Sequence, residues 1–255
     1  MRAMDRQRLS ALAHRHHPIA APLDDDSVAA LLERALPHGE GRVLDLGCGE
    51  GTWLRRALDG RPGLHAVGVD LDAATAERAR EEAAADGLGD RVTFHAQDAG
   101  EFTADHPFDT VLCVGATHAF GGLLPTLDAA RRQLAPGGNV VVGEGFWERE
   151  PDRRTLDVGF TADEYTDLAT TVDRVTAAGW TPAYAHTSTL EEWDDYEWSW
   201  TGSLAEWALD NDAEAALEAA TQHRDEWLRG YRGTLGFVTL VLRETKPAAE
   251  ASDHR

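Results

Sequence analysis

The sequence predicts an α/β fold: a doubly wound, mostly parallel sheet of seven strands, with a helical N-terminal arm and a helical insertion between strands six and seven. Three observations lead there. Short apolar runs alternate with helix-patterned segments over residues 43–143, and a glycine-rich turn separates the first run from the first helix. The chain's 255 residues, 42% of them hydrophobic, are also enough to bury a large core. Each parallel return needs a crossover, and each helical pattern supplies one.

Residues 43–47 (VLDLG) read as the first strand and 52–58 as the helix behind it. The second strand is 66–70 (AVGVD). Residues 73–85, dense in Ala, Glu and Arg, form a helix that stops at Asp86-Gly87. Residues 91–95 (RVTFH) have the β-branched and aromatic character of a third strand. A fourth strand at 108–114, a helix at 123–134 and a fifth strand at 139–143, entered through Pro136-Gly137-Gly138, continue the alternation. Thr161 with Glu164 three residues on has capping-box spacing, which predicts a helix from there to Gly179. A sixth strand is expected at 182–187. Residues 190–230 read as two helices carrying Trp193, Trp198, Trp200, Trp207 and Trp227, ahead of a last strand at 234–242. Residues 1–40 are thus the arm and 41–243 the main domain. The polar tail 244–255 has no apolar period and is expected to be disordered.

Twenty-four Lys and Arg against 45 Asp and Glu leave a formal charge of -21, and Lys246 is the sole lysine. Such a field repels phosphate backbones and anionic lipids, which excludes nucleic acid and membrane as first expectations for a partner. Cys48 and Cys113 both lie in apolar stretches, so no disulfide framework is expected and a reducing, cytoplasmic setting fits best. No window approaches the roughly 20 apolar residues of a membrane span, and the arm lacks the apolar stretch of a secretory leader. The histidines at 14, 16 and 17 have no Cys/His set at zinc spacing behind them, so no metal site is expected.

The segment VLDLGCGEGT, residues 43–52, carries Asp45 inside the strand and Gly47, Gly49 and Gly51 at alternate positions beyond it. Glycines there let backbone approach a ligand closely at the carboxyl end of a strand. The pattern is D-x-G-x-G-x-G, whereas a dinucleotide fingerprint wants G-x-G-x-x-G. A carboxylate beside the turn opposes a pyrophosphate and suits an ammonium or sulfonium. At these residues the chain resembles the Rossmann-like, class I S-adenosylmethionine-dependent methyltransferases of small-molecule type, and the resemblance spans about residues 41–242 apart from the Trp-rich insertion. It implies that Gly47, Cys48, Gly49 and the neighbourhood of Asp45 meet the methionine part of the cofactor. It further implies that Asp70 holds the ribose hydroxyls with Leu71 beside the adenine, that Asp98 and Ala99 meet the adenine amine, and that residues 234–242 form an antiparallel last strand. Acids at these intervals after the glycine turn, followed by Pro-Gly-Gly, keep the family's order.

Methyl transfer needs alignment, exclusion of water and, for some acceptors, removal of a proton. Val114 and Gly115, at the end of strand four, are counted among the expected cofactor-binding residues, and the acceptor is expected beyond them, toward His118. The loop lacks the Asn/Asp-Pro-Pro-Tyr/Phe motif of nucleic-acid and protein amino-methylating enzymes, which points to a small-molecule acceptor. His118 is the titratable side chain of that loop and the candidate general base. Glu144 and Trp147 follow strand five and are expected to face the same crevice. Trp193 and Trp200 are expected to line a lid, and the His-rich arm to cover the cofactor. Two other readings are a non-catalytic S-adenosylmethionine-binding regulator and an NAD-dependent oxidoreductase. The latter wants the other glycine spacing and a parallel sixth strand.

Overall fold

The structure, a computed structural model, describes residues 12–245; residues 1–11 of the arm, and all but the first two residues of the tail expected to be disordered, lie outside them. Seven strands form one sheet in the order β3-β2-β1-β4-β5-β7-β6. They are β1 (Glu40–Leu46), β2 (Gly63–Asp70), β3 (Val92–Ala96), β4 (Phe108–Val114), β5 (Leu134–Trp147), β6 (Trp180–Thr187) and β7 (Leu235–Glu244). β1 to β5 run parallel, while β7 pairs antiparallel with both β5 and β6.

The helices are α1 (Asp25–Ala35), α2 (Thr52–Leu58), α3 (Ala73–Ala85), α4 (Leu123–Gln133), α5 (Arg153–Asp157), α6 (Leu168–Ala177), α7 (Leu190–Asp210) and α8 (Glu214–Glu226). They cover both faces of the sheet, so central strands read as continuous apolar runs instead of alternating ones. In β4, Leu112 and Val114 pack toward α1 and α2, while Val111 and Cys113 pack toward α4 and Trp180. Each fully buried side chain of this size contributes about 1.5 to 3 kcal/mol. Caps set the helix starts: Asp24 accepts from the Ser27 N–H at 2.7 Å, and Asp72 from the Thr75 N–H at 2.6 Å.

Several expectations need correction. No helix begins at Thr161. Glu164 does accept from the Thr161 N–H at 3.1 Å, but as a turn, because the chain then bonds to β5 through Trp147 N–H to Thr166 O at 2.9 Å. β-pairing wins over helix propagation there, and α6 starts at Leu168, capped by Asp167 accepting from the Thr170 N–H at 3.0 Å. β5 is longer than expected at both ends and takes in Leu134 and the Pro-Gly-Gly, with an irregular register opposite Phe108 and Thr110. β6 begins at Trp180 and absorbs Pro182 at an irregularity between Pro182 and Tyr184, as a proline in a strand requires. β7 reaches Glu244, past the expected domain boundary.

The insertion forms α7, α8 and a π turn at Trp227–Tyr231. α7 opens with a complete capping box between Thr189 and Glu192. Glu192 also accepts from the Ser27 hydroxyl at 2.8 Å and lies 2.9 Å from His186 Nε2, joining arm, β6 and insertion. Deeper in, Glu197 is 2% exposed; it accepts from the Tyr231 hydroxyl at 2.7 Å and lies 2.8 Å from His223 Nε2. Glu197→Ala leaves these groups buried without their acceptor and is expected to cost about 3 kcal/mol of stability. Denaturant unfolding checks this, and an unchanged midpoint contradicts it.

Candidate active site

The turn after β1 is held from the next strand. The Gly47 and Cys48 N–H groups donate to Val69 O at 2.8 and 3.0 Å, and the Gly49 N–H donates to Asp70 Oδ2 at 2.9 Å. Asp70 Oδ1 accepts from the Asp72 N–H at 2.9 Å, so one carboxylate fixes both the turn and the start of α3. Each oxygen keeps lone-pair capacity for a further donor.

A cleft of about 260 Å³ opens above this turn. Gly47, Cys48, Gly49, Trp53, Asp70 and Val114 form its floor and walls, with His14, Pro18 and Ala20 of the arm over it. At Gly49 φ is 53°, and a Cβ built there meets nothing within 4 Å among the described residues, because it projects into open space. At Gly115 φ is 79°, and a Cβ would lie 2.8 Å from Ala20 O, so the arm crosses tight against the end of β4. The Glu50–Arg78 pair, 2.7 Å apart, stands at the rim.

Asp45 lies beneath the floor, 2% exposed, and its Oδ2 has no hydrogen-bond partner among the described residues. Burial first, and the nearby Asp70 carboxylate second, push its pKa up to about 8. In an unfolded chain an aspartate titrates near 4, so between about pH 4 and 8 the folded state holds a proton that the unfolded state has lost. This residue therefore subtracts stability as pH rises through that window. Asp45→Asn is expected to gain stability relative to the parent at the top of the window compared with the bottom. Denaturant midpoints at both ends check it; an equal difference at the two contradicts it.

The other expected cofactor residues gather at the same edge of the sheet, since Asp70 pairs with Ala96 in register. Leu71 is 76% exposed beside Asp70. Asp98 is exposed and accepts from the Gly100 N–H at 2.8 Å, with Ala99 half-buried next to it. These three flank the cleft and do not form its walls.

A second cleft, about 280 Å³, lies past the end of β4. His118, exposed on the 3-10 turn Thr117–Phe120, shares it with Glu144, Tyr165 and Arg174. Burial pushes the Glu144 carboxyl up, opposed by hydrogen bonds from Thr117 and the Gly145 N–H and by the Arg174 charge. Trp147 is not brought to this cleft: it is 6% exposed, donates its indole N–H to Ala162 O at 3.2 Å and packs on Phe160 and Tyr165. Trp193 and Trp200 also line neither cleft. Trp193 meets Tyr196 and Tyr231 edge-on, and Trp200 stacks on His223 with centroids 4.0 Å apart.

Sequence reasoning missed Trp53, Tyr196 and Tyr231. His14 Nε2 lies 3.2 Å from the Tyr196 hydroxyl, and His17 meets the same ring edge-on, so α7 holds the arm in place. From Tyr196, ring contacts run through Trp193, Tyr231 and Phe160 to Tyr165, linking the roof of the first cleft to the wall of the second. No local pattern announces the partners that lie far apart in the chain, His14 with Tyr196 and Phe160 with Tyr231, and none within α2 marks Trp53 as a wall of the cleft.

Comparison with known proteins identifies the family of the domain. The pattern of a methyltransferase-domain family matches residues 37–181. The uncharacterised protein YjhP of Escherichia coli is 29% identical over 76% of this chain and 79% of its own length. A trans-aconitate 2-methyltransferase of Streptomyces avermitilis is 31% identical over 52% of this chain, which spans 47% of that protein. Among solved structures, a SAM-dependent methyltransferase from Thiobacillus denitrificans in complex with S-adenosyl-L-homocysteine superposes with a TM-score of 0.85 at 25% identity, covering 94% of this chain and 100% of that one. Among the described residues, no helix is long and apolar enough to cross a membrane. With the family pattern over more than half of its length and the sheet order and antiparallel β7 in place, the chain belongs to the class I S-adenosylmethionine-dependent methyltransferase domains.

Proposed function

We propose that this methyltransferase transfers the methyl group of S-adenosylmethionine to a small-molecule acceptor by in-line displacement, with the cofactor in the first cleft and the acceptor approaching from the second. The observation that carries this reading is the glycine turn tied to Asp70 over open space, where Gly49 has no Cβ to fill the cleft. The orphaned Asp45 oxygen suits a cationic ligand and not a pyrophosphate. The antiparallel β7 likewise removes the parallel sixth strand that an NAD-dependent oxidoreductase wants.

When bound, the cofactor supplies a methyl carbon already activated by a positive sulfur. Backbone at Gly47, Cys48 and Gly49, with Asp45 below, takes its methionine end; Asp70 accepts from the ribose hydroxyls. Leu71, Asp98 and Ala99 take the adenine, and Val114 and Gly115 border the transfer point. The arm, pressed on Gly115 and latched to Tyr196, excludes water. His118 accepts the acceptor's proton, and Glu144 faces the acceptor with a partly desolvated carboxyl group. The trans-aconitate enzyme, named for a small molecule, supports this class of acceptor.

A labelled-methyl screen of purified protein against a metabolite library tests the proposal. Label moves to a small molecule if it holds; tight cofactor binding without transfer to any acceptor makes the protein a regulator. On the acceptor found, His118→Ala is expected to lower turnover about 100-fold and flatten the pH–rate profile near neutrality, with cofactor affinity unchanged. Turnover equal to the parent's from about pH 6 to 9 removes the base role.

A further inference from the structure

We infer that Asp45 makes cofactor capture proton-linked: its carboxyl group is neutral in the free cleft, ionises against a cationic group of the cofactor on binding, and gives its proton to the buffer. The inference rests on the cofactor reading above.

Asp45 sits mid-sheet, paired with Gly68 of β2 and Leu112 of β4. It is almost wholly buried, and one carboxyl oxygen has no partner among the described residues. The titratable groups facing it are Asp70 from β2, Cys48 from the glycine turn and Cys113 from β4. Both thiols are pushed far above the ordinary thiol range, by burial first and by Asp45 second. Asp70 carries the same sign of charge as an ionised Asp45. An ionised carboxylate here has lost its water and gained no cation, so the neutral acid is the stable form in the free protein.

Binding reverses that balance. Asp45 does not itself line the cleft, but Gly47 and Cys48 just beyond it in the chain do, and so does Asp70, whose charge reaches the Asp45 carboxyl group; a cation seated there acts on that carboxyl group over the same range. An ammonium or sulfonium in a site closed by the arm gains from a buried anion and holds it ionised. The exchange balances as one O–H bond broken at Asp45 and one proton transferred to buffer.

With burial and the Asp70 charge holding Asp45 protonated at neutral pH, more than about half a proton leaves per cofactor bound at pH 7, and affinity rises roughly tenfold from pH 6 to 7.5.

The test is calorimetric titration of the full chain with S-adenosylmethionine at pH 7 in phosphate and in Tris, whose different ionisation enthalpies report the protons exchanged. The expected result is release of more than about half a proton for the parent and near zero for Asp45→Asn, its fold checked by circular dichroism, together with a flat affinity between pH 6 and 7.5 for that variant. His14, Glu50, Asp72 and Arg78, which also line the cleft, remain in that variant, so the difference isolates Asp45. A parallel titration with S-adenosylhomocysteine assigns the partner: release with both ligands marks the ammonium, release with S-adenosylmethionine alone the sulfonium. Binding by the parent without proton release overturns the inference and leaves the cofactor reading standing. Absence of binding overturns both.

Discussion

Gly49→Val is expected to abolish S-adenosylmethionine binding, lowering affinity by at least about 100-fold, while the sheet stays folded. A valine at φ 53° is strained, at a cost of about 1 to 3 kcal/mol. That strain falls in a surface turn and does not disturb the core, since the added Cβ meets no described atom. Its methyl groups instead occupy the open space above Gly49 that the proposed function gives to the cofactor. Gly60→Val is the control: Gly60 has φ 66° and equally open surroundings, but stands in the turn after α2, away from the cleft. Circular dichroism and calorimetry on both variants check the expectation. Loss of binding in both, or in neither, contradicts it.

Asp70→Ala is expected to weaken cofactor binding by about 10- to 100-fold, because hydrogen bonds to a charged group are worth roughly 1.5 to 3 kcal/mol. Two effects combine. On the proposed function the ribose hydroxyls lose their acceptor, and the Gly49 N–H loses the carboxylate that holds it at 2.9 Å. Ligand and turn thus loosen together. Competition binding with S-adenosylhomocysteine measures the change, and affinity equal to the parent's places the ribose elsewhere.

Much of this site was legible because its signals are local. The alternation of apolar runs and helices gave the parallel core, and VLDLGCGEGT followed by GVDLD placed the turn and Asp70 within one strand–helix–strand unit, where Gly49 and Asp70 meet. What stayed hidden depends on partners distant in the chain. Thr161 and Glu164 have the spacing of a cap, yet Trp147 draws the following residues into strand pairing, and no pattern within residues 161–179 shows that competition. The complete capping box, at Thr189 and Glu192, matters as much for binding Ser27 of the arm as for starting α7. The tryptophans invited a lid reading because aromatic side chains suit both ligands and cores. Their neighbours decide: Trp193 meets Tyr196 and Tyr231, Trp200 meets His223, and Tyr196, unremarkable in sequence, holds the arm. His118 and Glu144 do share a cleft, as the sequence order suggested, although Glu144 lies within β5 and not after it.

The most direct test of the account is a crystal structure of the protein with S-adenosylhomocysteine. The account predicts the ligand in the cleft between the glycine turn and the arm, its ribose hydroxyls within hydrogen-bond distance of Asp70 and its amino-acid end over Gly47 and Gly49, with His118 on the side from which an acceptor approaches. Ligand bound elsewhere, or with its ribose turned away from Asp70, contradicts it.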